Sequence, residues 1–364
     1  MTNYFAPAFR IEVNGSRLAA DISENIQDLN IVSKPDTLDT FSFTVVNTLP
    51  DLRWTHTDDA NLFKEGNAVR IAMGYVDDLQ TMIEGEITQI KPVFPESGMP
   101  TVGIEGHTRL HRLGGDSKTR TFQKMTDKQI AEQIAQEAGL QAEAEDTQIQ
   151  HDYVMQPNQT DLQFLRDRAS RIHFEILVEN KKLIFRKAKE SAAKVYTLLW
   201  AQTQKSFAST STTLPLKSFS PQLDSLQPVS KVEYRGYDPK TKQALVSHAE
   251  PSDQDSTMGG NNKGADVCSA AFQKPRQYVH VSTPFSSQAE GDQHAAAKFN
   301  QRAMGFVRGS AETVGIPDLR SGHVVELKGI GKRFEGSYYV DEATHSISAS
   351  GYLTSFTVKR NSVT

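Results

Sequence analysis

With one cysteine in 364 residues, Cys268, this chain cannot build an intrachain disulfide framework. A lone thiol behaves as a small hydrophobe, so Cys268 reads as a buried bystander and not as a nucleophile. No uninterrupted apolar run approaches the roughly 20 residues that a membrane helix needs. The opening stretch, MTNYFAPAFRIEVNG, has no basic region followed by an apolar core, so no secretory leader is expected and cytoplasmic synthesis is the default. Charge of one sign is not in excess either. A net charge of -4 gives no overall pull toward nucleic acid or an anionic membrane.

Catalytic signatures are equally scarce. There is no HExxH pair for zinc and no GxSxG elbow for a serine hydrolase. Gly259 to Gly264 lacks the Gly-Lys-Ser/Thr ending of a phosphate loop, so it reads as a flexible loop. Asp253 and Asp255 open like a calcium loop, but its sixth and twelfth positions fall on Met258 and Gly264. His107 and His111 would meet only on a helix, and their stretch reads as a strand end. Glu84 and Glu86 share a strand face, where alternating Glu is ordinary solvent exposure before it is a glycosidase pair. Arg166, Arg168 and Arg171 read as the solvated face of a helix with local ion pairs. No catalytic residue, cofactor or metal is expected.

What is present is alternation. Phe9, Ile11 and Val13 lead into the turn Asn14-Gly15; Phe41, Phe43 and Val45 alternate with Ser42 and Thr44; Val69, Ile71 and Met73 repeat the pattern. Ile83, Ile87, Ile90, Val102 and Ile104 continue it, so residues 1–110 read as an antiparallel sandwich or barrel. The period then changes. Thr126 with Gln129 and Thr160 with Gln163 form capping boxes ahead of helical stripes, Ile130, Ile134 and Ala138 in one and Leu162, Leu165, Ala169 and Ile172 in the other. A hairpin follows, from Phe174, Ile176 and Val178 back through Leu183 and Phe185. Residues 111–190 are therefore expected to be a small α+β domain.

Residues 191–230, rich in Ser, Thr and Pro from Ser206 to Leu226, read as an extended connector. Residues 231–364 are expected to form a second β domain, with strands at Lys231–Tyr237, Phe306–Val314, His323–Leu327, Tyr338–Thr344 and Leu353–Val358. Within it, Glu250 to Gly264 has the composition of a mobile surface loop, and a helix is expected from about Ser287 to Met304.

Four runs, in order, resemble a known family: VRIAMGYVDDLQTMIEGEITQIKPVF (Val69–Phe94), TRTFQKMTDKQIAEQIAQEAGL (Thr119–Leu140), NQTDLQFLRDRASRIHFEILVENKKLIFRK (Asn158–Lys187) and GIGKRFEGSYYVDEATHSISASGYLTSFTVKRN (Gly329–Asn361). Together they resemble the phage late control D family of tail hubs, and are similar to the N-terminal hub part of the VgrG spike.

The resemblance implies a mainly β fold with two tube-type antiparallel β-barrel domains and a smaller α+β domain. It implies a structural baseplate hub of a contractile tail or injection system, a homotrimer that adapts a trimeric spike to a hexameric inner tube. The implied partners are a separate spike protein, inner tube or tube-initiator proteins and baseplate wedge proteins, with no nucleic acid and no membrane anchor. The implied site is a bacterial cytoplasm for synthesis and a virion-like particle for assembly, whether phage tail or tailocin. With no Val-Gly repeat before Thr364, the spike is expected to be another polypeptide. Candidate tube-wall strands carry Phe41, Phe43, Val45, Val69, Ile71, Met73, Val325, Leu327, Phe356 and Val358. The alternatives from other classes are a tail-associated peptidoglycan hydrolase, visible by zymography, and a carbohydrate-binding tail module, visible on a glycan array.

Overall fold

The computed structural model describes residues 6–47, 62–179, 181–200, 213–238, 241–281, 285 and 287–364. The six main strands of the first part are β1 (Pro7–Val13), β2 (Ile26–Ser33), β3 (Thr40–Val46), β4 (Ala68–Tyr75), β5 (Asp78–Val93) and β6 (Thr101–Thr108), with a two-residue strand Ser16–Arg17 on the β1 edge. They pair antiparallel in the order β1-β4-β5-β6-β3-β2 and wrap one apolar core. Alternation drives the wrapping: Phe41, Phe43 and Val45 point inward while Ser42 and Thr44 point out.

The middle unit contains β7 (Ser117–Thr126), α1 (Asp127–Glu137), β8 (Gln141–Ala144), β9 (Gln150–Thr160), α2 (Asp161–Arg171), β10 (Phe174–Glu179) and β11 (Lys182–Lys187). Both capping boxes form, with Thr126 and Thr160 accepting from the backbone N–H of Gln129 and Gln163. Ile130, Ile134, Leu165 and Ala169 are wholly buried against Ile176, Leu183 and Phe185.

The rest of the chain holds β12 (Tyr196–Trp200), β13 (Thr213–Leu223), β14 (Lys231–Asp238), β15 (Gln243–Ala249), α3 (Gly264–Phe272), β16 (Gln277–His280), α4 (Gln288–Ala303), β17 (Val307–Val314), β18 (Val324–Lys328), β19 (Gly336–Ser348) and β20 (Gly351–Arg360). A closed six-stranded barrel forms in the order β19-β18-β12-β13-β17-β20, with β20 returning to β19. β12 runs parallel to both neighbours; the other pairs are antiparallel. The two β modules belong to one sheet, because β2 pairs with β19 from Leu29 opposite Ile347 to Ser33 opposite Ala343.

Residues 191–230 are not simply a connector: β12 and β13 come from that stretch and complete the second barrel, while residues 201–212 lie outside the described residues. Pro215 and Pro221 concealed the strand, since Pro lacks a ladder donor; β13 carries both, with a register shift between Leu216 and Ser218. Conversely, Lys231–Asp238 is not a barrel strand. β14, β15 and β16 make a separate small sheet, which packs against α4 with its own apolar cluster of Val232, Tyr234, Phe285 and Phe299.

Glu250 to Gly264 is a pinned segment and not a mobile loop. Asn361 Oδ1 accepts from Met258 N and Asn361 Nδ2 donates to the Ser256 carbonyl, both at 2.8 Å. Asn262–Lys263 pairs with Ser362–Val363. Gly259, with φ +86°, lies against the Arg360 guanidinium, where a Cβ would come within 2.2 Å of Nη1. Polar composition suggested solvation; these polar atoms instead bond one another.

Candidate functional site

The ten tube-wall candidates all fold into the cores of the two β modules. Phe41, Phe43, Val45, Val69, Ile71 and Met73 fill the core of the first β module, and Val325, Leu327, Phe356 and Val358 that of the second, each no more than 3% exposed. Their side chains hold the walls together and are not free to meet a partner. The outward face is carried by the residues between them. Cross-strand register aligns Thr40, Val32, Thr344, Ser355, Glu312 and Ser218 in one row, and Ser42, Asn30 and Ser346 in the next. The result is a hydroxyl-rich surface that crosses from one β module to the other. The sequence reading named the inward half of each alternation; runs such as FSFT already displayed the outward half.

Several of the polar residues considered for chemistry are engaged in structural pairs. Glu84 pairs with Arg70 across β4 and β5 at 2.6 Å. Glu86 is not solvent-exposed as expected: it is 5% exposed and surrounded by Arg109, His111 and Arg112. Burial pushes its carboxyl up, but hydrogen bonds from Arg112 and His111 outweigh that and hold it below the usual range. His111 therefore serves Glu86 and does not join His107, which sits on β6 before the turn Arg109–Gly114.

Arg168 also departs from the expected solvated face. It is buried and clasps Asp127 at 2.5 and 2.9 Å, with His151 against the same carboxylate at 3.2 Å. Burial raises the Asp127 carboxyl, yet His151 and Arg168 bring it down to about 2. The other ring nitrogen of His151 faces Glu290 on α4 at 3.4 Å. A second clamp lies nearby, where His173 stands between Asp255 at 3.0 Å and Glu190 at 3.2 Å. Burial works against its charge, but the two carboxylates win and its pKa rises to about 9. Asp255 thus helps to pin the Glu250 to Gly264 segment through His173. Cys268 is buried, as expected for a bystander. Among the described residues no group of three or more His, Cys, Asp or Glu is arranged to hold a metal, and no helix is long and apolar enough to cross a membrane.

The family model of the Alg8 N-terminal domain matches residues 6–349. The chain belongs to that family. No curated protein matches it in sequence. Among solved structures, the chain is similar to a 43 kDa tail protein of prophage MuSo2 from Shewanella oneidensis, with TM-score 0.71, 13% identity and 98% of each chain covered. It is similar to a tail protein from Neisseria meningitidis, with TM-score 0.69, 16% identity and 98% and 97% covered. An E. coli component of the type VI secretion system, described as structurally similar to T4 tail proteins, aligns with TM-score 0.60 and 12% identity, over 97% of this chain and 77% of that one. At these identities the likeness establishes the fold. It is the fold of phage tail proteins, as the late control D resemblance implied.

Proposed function

We propose that this protein is a structural tail or baseplate component, and specifically a hub that works as a homotrimer between a separate trimeric spike and a hexameric inner tube. The observation that carries the reading is the pair of six-stranded β modules fused into one sheet within a single subunit. Three copies would supply six such modules, which matches a three-fold partner on one side and a six-fold partner on the other. End-to-end similarity to two tail proteins supports it. In this role β3, β4, β18 and β20 are walls stiffened by their buried side chains, and the hydroxyl-rich outer face is the surface offered to neighbours or to the passage.

The test is co-expression of the chain with its neighbouring spike protein, followed by mass photometry and cryo-electron microscopy. Three copies coaxial with the spike are expected. A six-copy ring, or a chain that never joins the spike, would refute the proposal.

A further inference from the structure

A cavity of about 650 Å³ opens where the first barrel, the middle unit and the second barrel meet. Its lining brings together four carboxylates, Asp39 and Glu84 from the first, Glu179 from the second and Asp318 from the third, with one guanidinium, Arg320. His323 also lines it, and burial lowers the pKa of its ring. Arg320 is turned toward backbone, donating to the carbonyls of Met82 at 2.7 Å and Thr81 at 2.8 Å. Glu84 is occupied by Arg70, and Asp318 accepts from the Tyr196 hydroxyl at 3.2 Å.

Two carboxylates remain without an ion-pair partner among the described residues. Asp39 accepts a backbone N–H from Lys34 at 3.1 Å and has no ion-pair partner among the described residues; Glu179 has none either. Burial outweighs the Lys34 bond and the Arg320 charge and pushes the Asp39 carboxyl up to about 7. An independent observation points the same way. Thr108 is 2% exposed, lines this cavity, and its Oγ1 has no hydrogen-bond partner. Buried hydroxyls are nearly always bonded, so an orphan beside a cavity asks for a ligand atom.

We propose that the cavity binds an organic cation, an ammonium or guanidinium group, with Asp39 and Glu179 as counter-charges and Thr108 Oγ1 as a further acceptor. An ammonium brings three donors and no acceptor, which suits a lining of carboxylates and a hydroxyl. A metal ion suits it less, since no metal-holding cluster occurs among the described residues. The volume exceeds that of one side chain and leaves room for a polyamine or for a lysine or arginine with its flanking backbone. The inference does not depend on the hub reading.

Isothermal titration of the full chain at pH 7.5 and low salt tests it, with spermidine, capped Gly-Lys-Gly and Gly-Arg-Gly, and capped Gly-norleucine-Gly as the uncharged control. Saturable binding of one cationic probe per chain is expected, with none for norleucine. Asp39→Asn keeps the acceptor for Lys34 and removes the charge; exposed Glu179→Gln does not threaten the fold. Each should weaken binding ~10-fold or more, as loss of a charge-assisted contact does, while Glu96→Gln on the distant exposed hairpin changes nothing. Binding of spermidine alone assigns the site to a free polyamine, and binding of the peptides assigns it to a partner polypeptide. Equal binding of norleucine, no saturable binding, or wild-type affinity in both Asp39→Asn and Glu179→Gln would overturn it.

Discussion

Replacing Arg360 by Met tests whether one buried cation anchors the 256–260 segment. Arg360 is fully buried, and no carboxylate pairs with it among the described residues. Its guanidinium donates to the carbonyls of Arg333 at 2.7 Å, Glu335 at 2.8 Å and Gly259 at 3.4 Å, and stands 4.4 Å from the Tyr338 ring centroid. Two good charge-assisted bonds contribute about 1.5–3 kcal/mol each, and a desolvated cation over an aromatic ring about 2 kcal/mol. Relief of the buried charge offsets part of this loss. Met fills much of the volume but leaves the carbonyls unpaired, so Arg360→Met is expected to cost about 3 kcal/mol. Lys lacks the planar fork that reaches two carbonyls at once, and Arg360→Lys should recover only part. Urea unfolding gives the stability. Limited proteolysis gives the location, with new cleavage expected between residues 250 and 264. A loss within about 0.5 kcal/mol, the usual range of a surface change, or an unchanged cleavage pattern would show that Arg360 does not hold the segment.

Two other outcomes follow from buried groups. Leu165→Asp places a charge in the middle unit's core, where Leu165 is fully buried; a loss of about 4 kcal/mol or more and poor solubility are expected by thermal melting, and a wild-type melt would show the α2 register to be wrong. His294 is buried between Tyr234 and Phe285 with neither ring nitrogen bonded, and burial lowers its pKa to about 4. Below the ordinary value of about 6.5 the unfolded chain binds the proton and the folded chain does not, so stability falls as pH drops from 6.5 to 4, by about 3 kcal/mol in all. His294→Leu should be no less stable at pH 7.5 and should flatten that acid limb; an unchanged pH slope would sink this assignment.

The legible parts of the sequence were those where a local pattern and the tertiary fold agree. The capping boxes at Thr126 and Thr160, the hairpin after Phe174 and the strand cores at Phe41 and Val69 all declare themselves within about ten residues. What escaped depends on partners distant in sequence. Nothing near Arg168 announces Asp127 and His151, and nothing in Glu250 to Gly264 announces Asn361 and Ser362. Polar residues read as solvated when their partners lie from 17 to 103 positions away. The cavity at Asp39 is a stronger case, because three separate parts of the chain contribute its walls. No local period could reveal it.

The seam between β2 and β19 also bears on how the chain comes to be folded. Ser33 pairs with Ala343, about 310 positions later, and pairings so remote form slowly because the loop must close first. During synthesis the first β module can assemble its core early, yet the outer edge of β2 stays open until β19 emerges. An open strand edge is a template for another chain. While that edge is open one growing chain can pair with another, so the yield of correctly built subunits should depend on how quickly β19 arrives.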